Sequence, residues 1–332
     1  MSDSEANSDA GGKDHGVLYL GIDLGTSRTS VCASNGVRET VESFVGYPKD
    51  PIARKLLKKD VLFGEEARQK RLSLNLHRPL QHGVLKFNKD GAEESEELRA
   101  AQDLVKEIVR QAQPRADELI YAVIGVPAQA GIHNKDAIIA AARESVDSVM
   151  LCSEPFSVAY GLEMLDGTMP EDADQITLTT AGDFVDEELA KEITAAFPEA
   201  QHSTQMIKSI KERHSTVDKT TGSIQVELPV SGKPTMFDIT TCMKTACARI
   251  VPPIGQLIST FDPEFQEKLK GRVLLAGGGS QIRGLDTAIQ EYMQESLGGG
   301  KVIRIEEPIY GGANGALKIA HDMPEDYWEQ LK

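Results

Sequence analysis

Four short apolar runs, each closed by turn-forming residues, punctuate this chain at 17–22, 121–126, 149–151 and 273–276. Continuous apolar stretches of this length, without polar alternation, predict strands buried on both faces. Between them the period changes. Over 94–110 the residues Leu98, Ala101, Leu104, Val105, Ile108 and Val109 recur three or four apart, the single stripe of an amphipathic helix. Related spacing predicts helices over 134–146, 183–196, 284–295 and 312–321. Strands alternating with helices predict an α/β architecture. A different pattern follows the loop-like stretch 214–223: residues 225–228 alternate and are answered near 235–239, which predicts a small antiparallel pair.

The chain has 332 residues, 40% of them apolar, too many for one ordinary core and suited to two lobes. The segment 166–175, DGTMPEDADQ, has no apolar period and carries Gly, Pro and four acids, so the junction between lobes is expected there. The expected division is a disordered acidic tail (1–16), a first lobe (17–165) with a small insertion at about 36–90, a second lobe (166–320) and a C-terminal tail (321–332). Lys and Arg number 36 against 51 Asp and Glu, a formal charge of −15, which disfavours nucleic acid and anionic membrane as partners. The first 16 residues lack the basic start and apolar middle of a secretory signal, and no run reaches the ~18 apolar residues of a membrane span, so a cytoplasmic protein is expected. The four cysteines, Cys32, Cys152, Cys242 and Cys247, show no metal spacing and read as reduced, packed thiols. His77, His82, His202 and His214 show no ligand spacing either and are expected at the surface.

Three glycine- or acid-bearing turns follow buried runs. In Gly21-Ile22-Asp23-Leu24-Gly25-Thr26-Ser27, unhindered backbone at Gly25 and the amides and hydroxyls of Thr26 and Ser27 can meet phosphate oxygens. Asp23, an acid ending an apolar strand, needs donors or a cation such as hydrated Mg²⁺; a plain glycine hairpin with an Asp-capped turn is the alternative. In Cys152-Ser153-Glu154-Pro155, Ser153 or Glu154 can cap a helix that Pro155 opens, or Glu154 can face phosphates and orient a water. Gly277-Gly278-Gly279-Ser280 exposes backbone to a planar ring or a phosphate, or is simply a flexible turn. Lys211 and Glu212 alone read as a solvated helix face.

The order of these turns is more specific than any one of them. A phosphate hairpin near the start, a Glu-Pro at a strand tip mid-chain and a late Gly-Gly-Gly-Ser turn resemble the actin, Hsp70 and sugar-kinase superfamily. The stretches 45–50 (VGYPKD), 122–128 (AVIGVPA), 276–285 (AGGGSQIRGL) and 324–331 (PEDYWEQL) closely resemble the magnetosome actin-like family in particular. Residues 285–332 are too few for a chaperone's peptide-binding domain, and these family-like segments have no reason to occur in a sugar kinase. The resemblance implies an actin-like two-lobe fold, with ribonuclease H-like lobes around a nucleotide cleft. It implies ATP and Mg²⁺ as cofactors: Asp23 holding the hydrated metal, Gly25, Thr26 and Ser27 cradling the terminal phosphates, and Glu154 placing the attacking water. By the same resemblance Gly182, Lys211 and Glu212 contact the nucleoside, and Gly277, Gly278, Gly279 and Ser280 hold the base and α-phosphate. The implied partners are further copies of the chain in a cytoplasmic filament, a full-length relative and magnetosome-associated proteins.

The sequence departs from this pattern in one place. Superfamily members carry a second phosphate hairpin, Asp-x-Gly-x-Gly-Thr-Thr-Asp, after the Glu-Pro helix, whereas here 161–165 runs through DGTMPEDADQ into 176–182. About one and a half dozen residues are missing by motif spacing. The expected consequences are a second lobe short of two strands and weak hydrolysis, each lost preorganised donor being worth ~3 kcal/mol in the transition state.

Overall fold

The computed structural model describes residues 16–81, 84, 85, 96–127, 130–164, 178 and 180–331. Its largest sheet has five strands in the order Ser148–Ser153, Leu119–Val126, Val17–Leu24, Arg28–Ala33 and Arg38–Glu42. The first three are parallel, and the last two extend them as antiparallel hairpin partners. Leu20, Ile22, Ala122 and Ile124 are fully buried, as unbroken apolar strands require. The helix expected at 94–110 runs Glu96–Gln111, and its stripe of Ala101, Leu104, Val105, Ile108 and Val109 is buried in the same core.

Within the expected insertion, Val45–Pro48 pairs with Leu62–Phe63 and Leu74–His77 around a small core of Leu62, Ala67 and Leu74. Asp50 opens the Pro51–Leu57 helix there by accepting from the Ala53 amide at 2.7 Å, and Lys58 at φ 53° closes it. His77 is not a surface residue: its side chain is 11% exposed, held edge-on to Tyr47 and beside Glu97. His202 and His214 are half-buried, and His82 lies outside the described residues.

A second large apolar cluster draws on residues 184–302, from the helices Gly182–Ala196, Thr204–His214, Thr240–Ala248, Pro252–Thr260 and Leu285–Leu297. Among the described residues its sheets are pairs only: the antiparallel Gln225–Val230 with Lys233–Asp238, as the alternation predicts, and the parallel Val273–Leu275 with Val302–Arg304.

The chain then returns to the first sheet. The Gly311–Asp322 helix lies against the opening strand and the Glu154–Gly161 helix through glycines on all three elements. A Cβ on Gly315 would stand 1.7 Å from the Ser157 carbonyl oxygen, and one on Gly161 2.7 Å from the Gly315 Cα. Trp328, on the closing Glu325–Gln330 helix, is fully buried and stacks on Tyr121 at 5.1 Å. Residues 311–331, expected with the second lobe and a tail, therefore cover one face of the first sheet. The expected acidic tail, save Gly16, and the expected junction at 166–175 lie outside the described residues. No helix among the described residues is long and apolar enough to cross a membrane.

Candidate functional site

The parallel strands end together, and their ends carry the two acids singled out by sequence. Asp23 pairs in register with Gly125 of the neighbouring strand, and Gly125 with Cys152 of the next, so Glu154 follows two residues beyond that rung. Gly125 keeps the space between them open: a Cβ there would lie 3.5 Å from the Glu154 Cγ. Asp23 leans on the first turn of the Gly311–Asp322 helix, where a Cβ on Gly312 would come within 2.7 Å of Oδ2. A helix N-terminus is a favourable place for a carboxylate.

Neither carboxylate has a hydrogen-bond or ion-pair partner among the described residues. Burial pushes Asp23 up to about 6. Burial first, and then the charge of Asp23, pushes Glu154 up to about 8. Two desolvated acids facing one recess lack a counter-charge. Ser153 occupies the cap position of the Glu154–Gly161 helix, with Pro155 in its first turn, but makes no side-chain cap bond, so the capping alternative leaves Glu154 free.

The first hairpin is tight for a reason of backbone geometry. A Cβ at Gly25 would stand 2.5 Å from the Arg28 carbonyl oxygen, so glycine is needed for the turn itself. Ser43 Oγ donates to the Gly25 carbonyl at 2.7 Å, and the Ser43 amide donates to the Ser27 carbonyl at 3.1 Å, fixing the loop from the next strand connection. Thr26 and Ser27 remain half-buried beside it. Arg78 also reaches the loop, its Nε donating to the Thr26 carbonyl at 3.3 Å and its Nη2 approaching Ser27 Oγ at 3.4 Å.

In the late glycine turn, Gly277 takes a φ of 72° and donates its amide to the Pro308 carbonyl at 2.7 Å. Ser280 is buried, its Oγ donating back to the Gly277 carbonyl at 2.7 Å. A Cβ at Gly277, Gly278 or Gly279 would meet nothing within 4 Å, so their backbone borders open space. Gly311 ties this turn to the acids: a Cβ there would be 3.7 Å from the Ala276 Cβ, one residue before Gly312 and its contact with Asp23.

Lys211 is not on a solvated face. Its ammonium pairs with Asp186 at 2.7 Å and donates to the Gly182 carbonyl at 3.2 Å, which brings Gly182 and Lys211 together, while Glu212 is half-exposed one residue on. One turn further, the Arg283 amide donates to the Ser215 carbonyl at 3.2 Å and the Val217 amide to the Arg283 carbonyl at 2.9 Å, joining the end of this helix to the glycine turn. Sequence reasoning missed Arg78, Asp186 and Gly312. The run Gly311-Gly312-Ala313-Asn314-Gly315 is a readable sign of close helix packing, whereas nothing local marks Arg78 or Asp186.

The residues present fit a metal-bound nucleotide. Two unpaired carboxylates suit a hydrated Mg²⁺, which takes one or two carboxylates and keeps its waters, and the open glycine backbone is a cradle that side chains would fill. No cluster of three or more His, Cys, Asp or Glu ligands occurs among the described residues.

No family model matches the chain. It is 37% identical to the actin-like protein MamK of Paramagnetospirillum magneticum, over 98% of this chain and 98% of that protein. It is 30% identical to a MamK-like protein of the same organism, over 95% of this chain and 98% of that one. Among solved structures, the MamK double helical filament aligns with a TM-score of 0.86 and 36% identity, over 92% of this chain and 99% of the other. A non-polymerising MamK mutant bound to AMPPNP aligns with a TM-score of 0.68 at the same identity and coverage. With this identity across nearly the whole of both chains, the chain belongs to the MamK family of actin-like proteins.

Proposed function

We propose that this protein is a filament-forming cytoskeletal subunit that binds ATP with Mg²⁺ between two lobes and hydrolyses it slowly. The observation that carries this reading is the pair of partnerless carboxylates, Asp23 and Glu154, at the ends of two parallel strands on either side of the Gly125 strand, with an open glycine turn reached from Asp23 through Gly311 and Gly312. We read the two large apolar clusters as the two lobes, with residues 311–331 completing the first. Asp23 would hold the hydrated Mg²⁺, Gly25, Thr26 and Ser27 the terminal phosphates, and Gly182, Lys211, Glu212 and Gly277 to Ser280 the nucleoside and α-phosphate. Bound Mg²⁺ would supply positive charge to the phosphates, and the same charge would favour the ionised forms of both acids. Glu154, once ionised, is placed to accept a proton from a water and orient it.

Assembly is supported by conformation as well as by family. At equal identity and coverage, the chain superposes better on the MamK filament subunit (0.86) than on the non-polymerising mutant (0.68). Equal identity leaves the arrangement of the parts as the source of the difference, and this supports a subunit shaped for the filament. A cytoplasmic filament lying alongside magnetosomes, with magnetosome-associated proteins as partners, follows from the same reading.

A second reading shares the fold but not the turnover: a subunit that co-assembles with a full-length MamK and hydrolyses little or nothing. It is favoured by the proposed loss of the second phosphate hairpin, a segment that lies outside the described residues. The alignment with MamK runs over 346 positions while this chain has 332 residues, so at least 14 positions (346 − 332) have no counterpart here.

Light scattering with phosphate release separates the two, using purified protein with Mg-ATP and Glu154→Ala alongside. If both signals rise in the wild type and the variant stops release while still binding ATP, the chain is an active filament ATPase. If release is absent or equal in the variant, the co-assembling reading holds and scattering should appear only with full-length MamK added. Absence of any calorimetric heat with Mg-ATP, for folded protein, sinks both.

A further inference from the structure

We propose that Arg78 is a terminal-phosphate residue, a cation that supplies the site with charge and donors toward the last phosphate of the nucleotide. This rests on the nucleotide-binding reading above and extends it to a residue outside the four motifs. The motifs bring two carboxylates into the site, and Lys211 is already committed to Asp186 and to the Gly182 carbonyl. A nucleoside triphosphate adds further negative charge, and one Mg²⁺ cannot balance all of it. An additional cation is therefore required near the phosphate hairpin.

Arg78 is the cationic side chain that the described residues place in contact with that hairpin. It follows the Leu74–His77 strand of the insertion, and its guanidinium lies along Thr26 and Ser27 at 3.3 and 3.4 Å. These are long contacts of the kind that a better acceptor replaces. Nη2 is anchored instead by Asp183 at 3.0 Å, in the first turn of the Gly182–Ala196 helix. Nη1 has no hydrogen-bond partner among the described residues. The side chain is 27% exposed, so it is neither locked in the core nor lost to solvent. An arginine fork held on one side by a carboxylate still presents donors on the other, and phosphate is its natural acceptor.

Lys208 strengthens the case for a cationic cleft mouth. It is only 7% exposed, its nearest carboxylate is Glu212 at 3.9 Å, and the charge of Arg78 is among the influences, after burial, that disfavour its ammonium form.

Calorimetric titration of wild type, Arg78→Gln, Arg78→Lys and Asp183→Asn with Mg-ATP and with Mg-ADP tests the assignment. A charge-assisted contact to the terminal phosphate is worth about ten- to a hundredfold in affinity. Arg78→Gln is expected to lose that factor for ATP while ADP affinity changes less than about threefold, and Arg78→Lys to retain part of it. Asp183→Asn leaves the cation in place but loosens its anchor, so it should show a smaller loss with the same ATP-selective sign. Equal losses for ATP and ADP in the folded variants would make Arg78 a support of the hairpin only, and unchanged ATP affinity would remove it from the site; either overturns the proposal. If Arg78→Gln does not fold, Arg78→Lys and Asp183→Asn decide on the same criterion. Wild type binding neither nucleotide overturns the nucleotide reading itself, a result distinct from equal losses.

Discussion

The two halves of this molecule solve the same problem, placing polar groups around a recess, with different materials. The first half uses a five-stranded sheet in which register sets Asp23 and Glu154 at the ends of parallel strands. The second half has only two-stranded pairs among its described residues, and its polar groups ride on helices and a glycine turn held by side-chain ties. A sheet positions a side chain through register, which any neighbouring strand enforces. Helix-borne groups such as Lys211 depend on one or two specific partners. Damage should therefore spread in the first half and stay local in the second.

The sharpest way to break that comparison is at the packed glycines. Gly315→Ala places a methyl group 1.7 Å from the Ser157 carbonyl oxygen, backbone against backbone, with no flexible side chain to yield. The Gly311–Asp322 and Glu154–Gly161 helices must move apart. A loss of at least about 3 kcal/mol in urea unfolding is expected. A loss below about 1 kcal/mol would show that the contact between the two helices is softer than its geometry implies.

Next in size is the tie in the second half. Lys211→Met leaves the Asp186 carboxylate 15% exposed and without its cation, and one of its oxygens already lacks a hydrogen bond. A partly buried pair broken on one side costs about 2 kcal/mol. The same substitution at Lys191, whose partner Glu188 lies on the solvent side of its helix, should leave the unfolding midpoint unmoved. If both variants behave alike, the second half does not rest on specific ties.

A smaller effect, read through pH, tests the strand-tip acids. Glu154 is raised from 4.5 to about 8 by burial and by Asp23, so the folded state binds a proton that the unfolded state releases. Its stabilising share is complete below pH 4.5 and is lost as pH rises through 8. Glu154→Gln removes that loss. With divalent metal and nucleotide stripped by chelator, the variant should melt about 2–5 °C above wild type near pH 8.5 and converge with it near pH 5. Added Mg²⁺ should shrink the gap if Asp23 and Glu154 share its field.

Legibility in the sequence follows the same division. The strand ends are readable because an unbroken apolar run that stops at Asp or at Glu-Pro puts a charge where burial would be costly, and so singles that charge out. The path that carries Arg78 beside Thr26, or Asp186 beside Lys211, depends on tertiary contacts between residues 52 and 25 positions apart, which no local pattern records. Lys211 reads as solvated from its neighbours in sequence because its partner sits on a different helix. The stripe over 312–321 states that a face is buried but not against what, so only the return of residues 311–331 to Tyr121 and Gly21 reveals that they belong with the first sheet.

The smallest expected effect on stability is also the most informative for the site. Gly278 has an ordinary negative φ, and a methyl group there would meet nothing within 4 Å. Gly278→Ala should leave stability unchanged or raise it by about 0.5 kcal/mol through the unfolded state. Gly277→Ala, by contrast, carries a φ of 72° and should lose about 1 kcal/mol without any clash. The two variants put the same methyl group into the same open space with different backbone consequences. If that space receives the nucleotide, Gly278→Ala must weaken ATP and ADP binding alike, because the base and α-phosphate are common to both. A variant that keeps its unfolding midpoint and loses both nucleotides would locate the ligand against this backbone; one that keeps both would mean that the glycine run serves the turn alone, and that the second half contributes to the site only through Gly182, Lys211 and their ties.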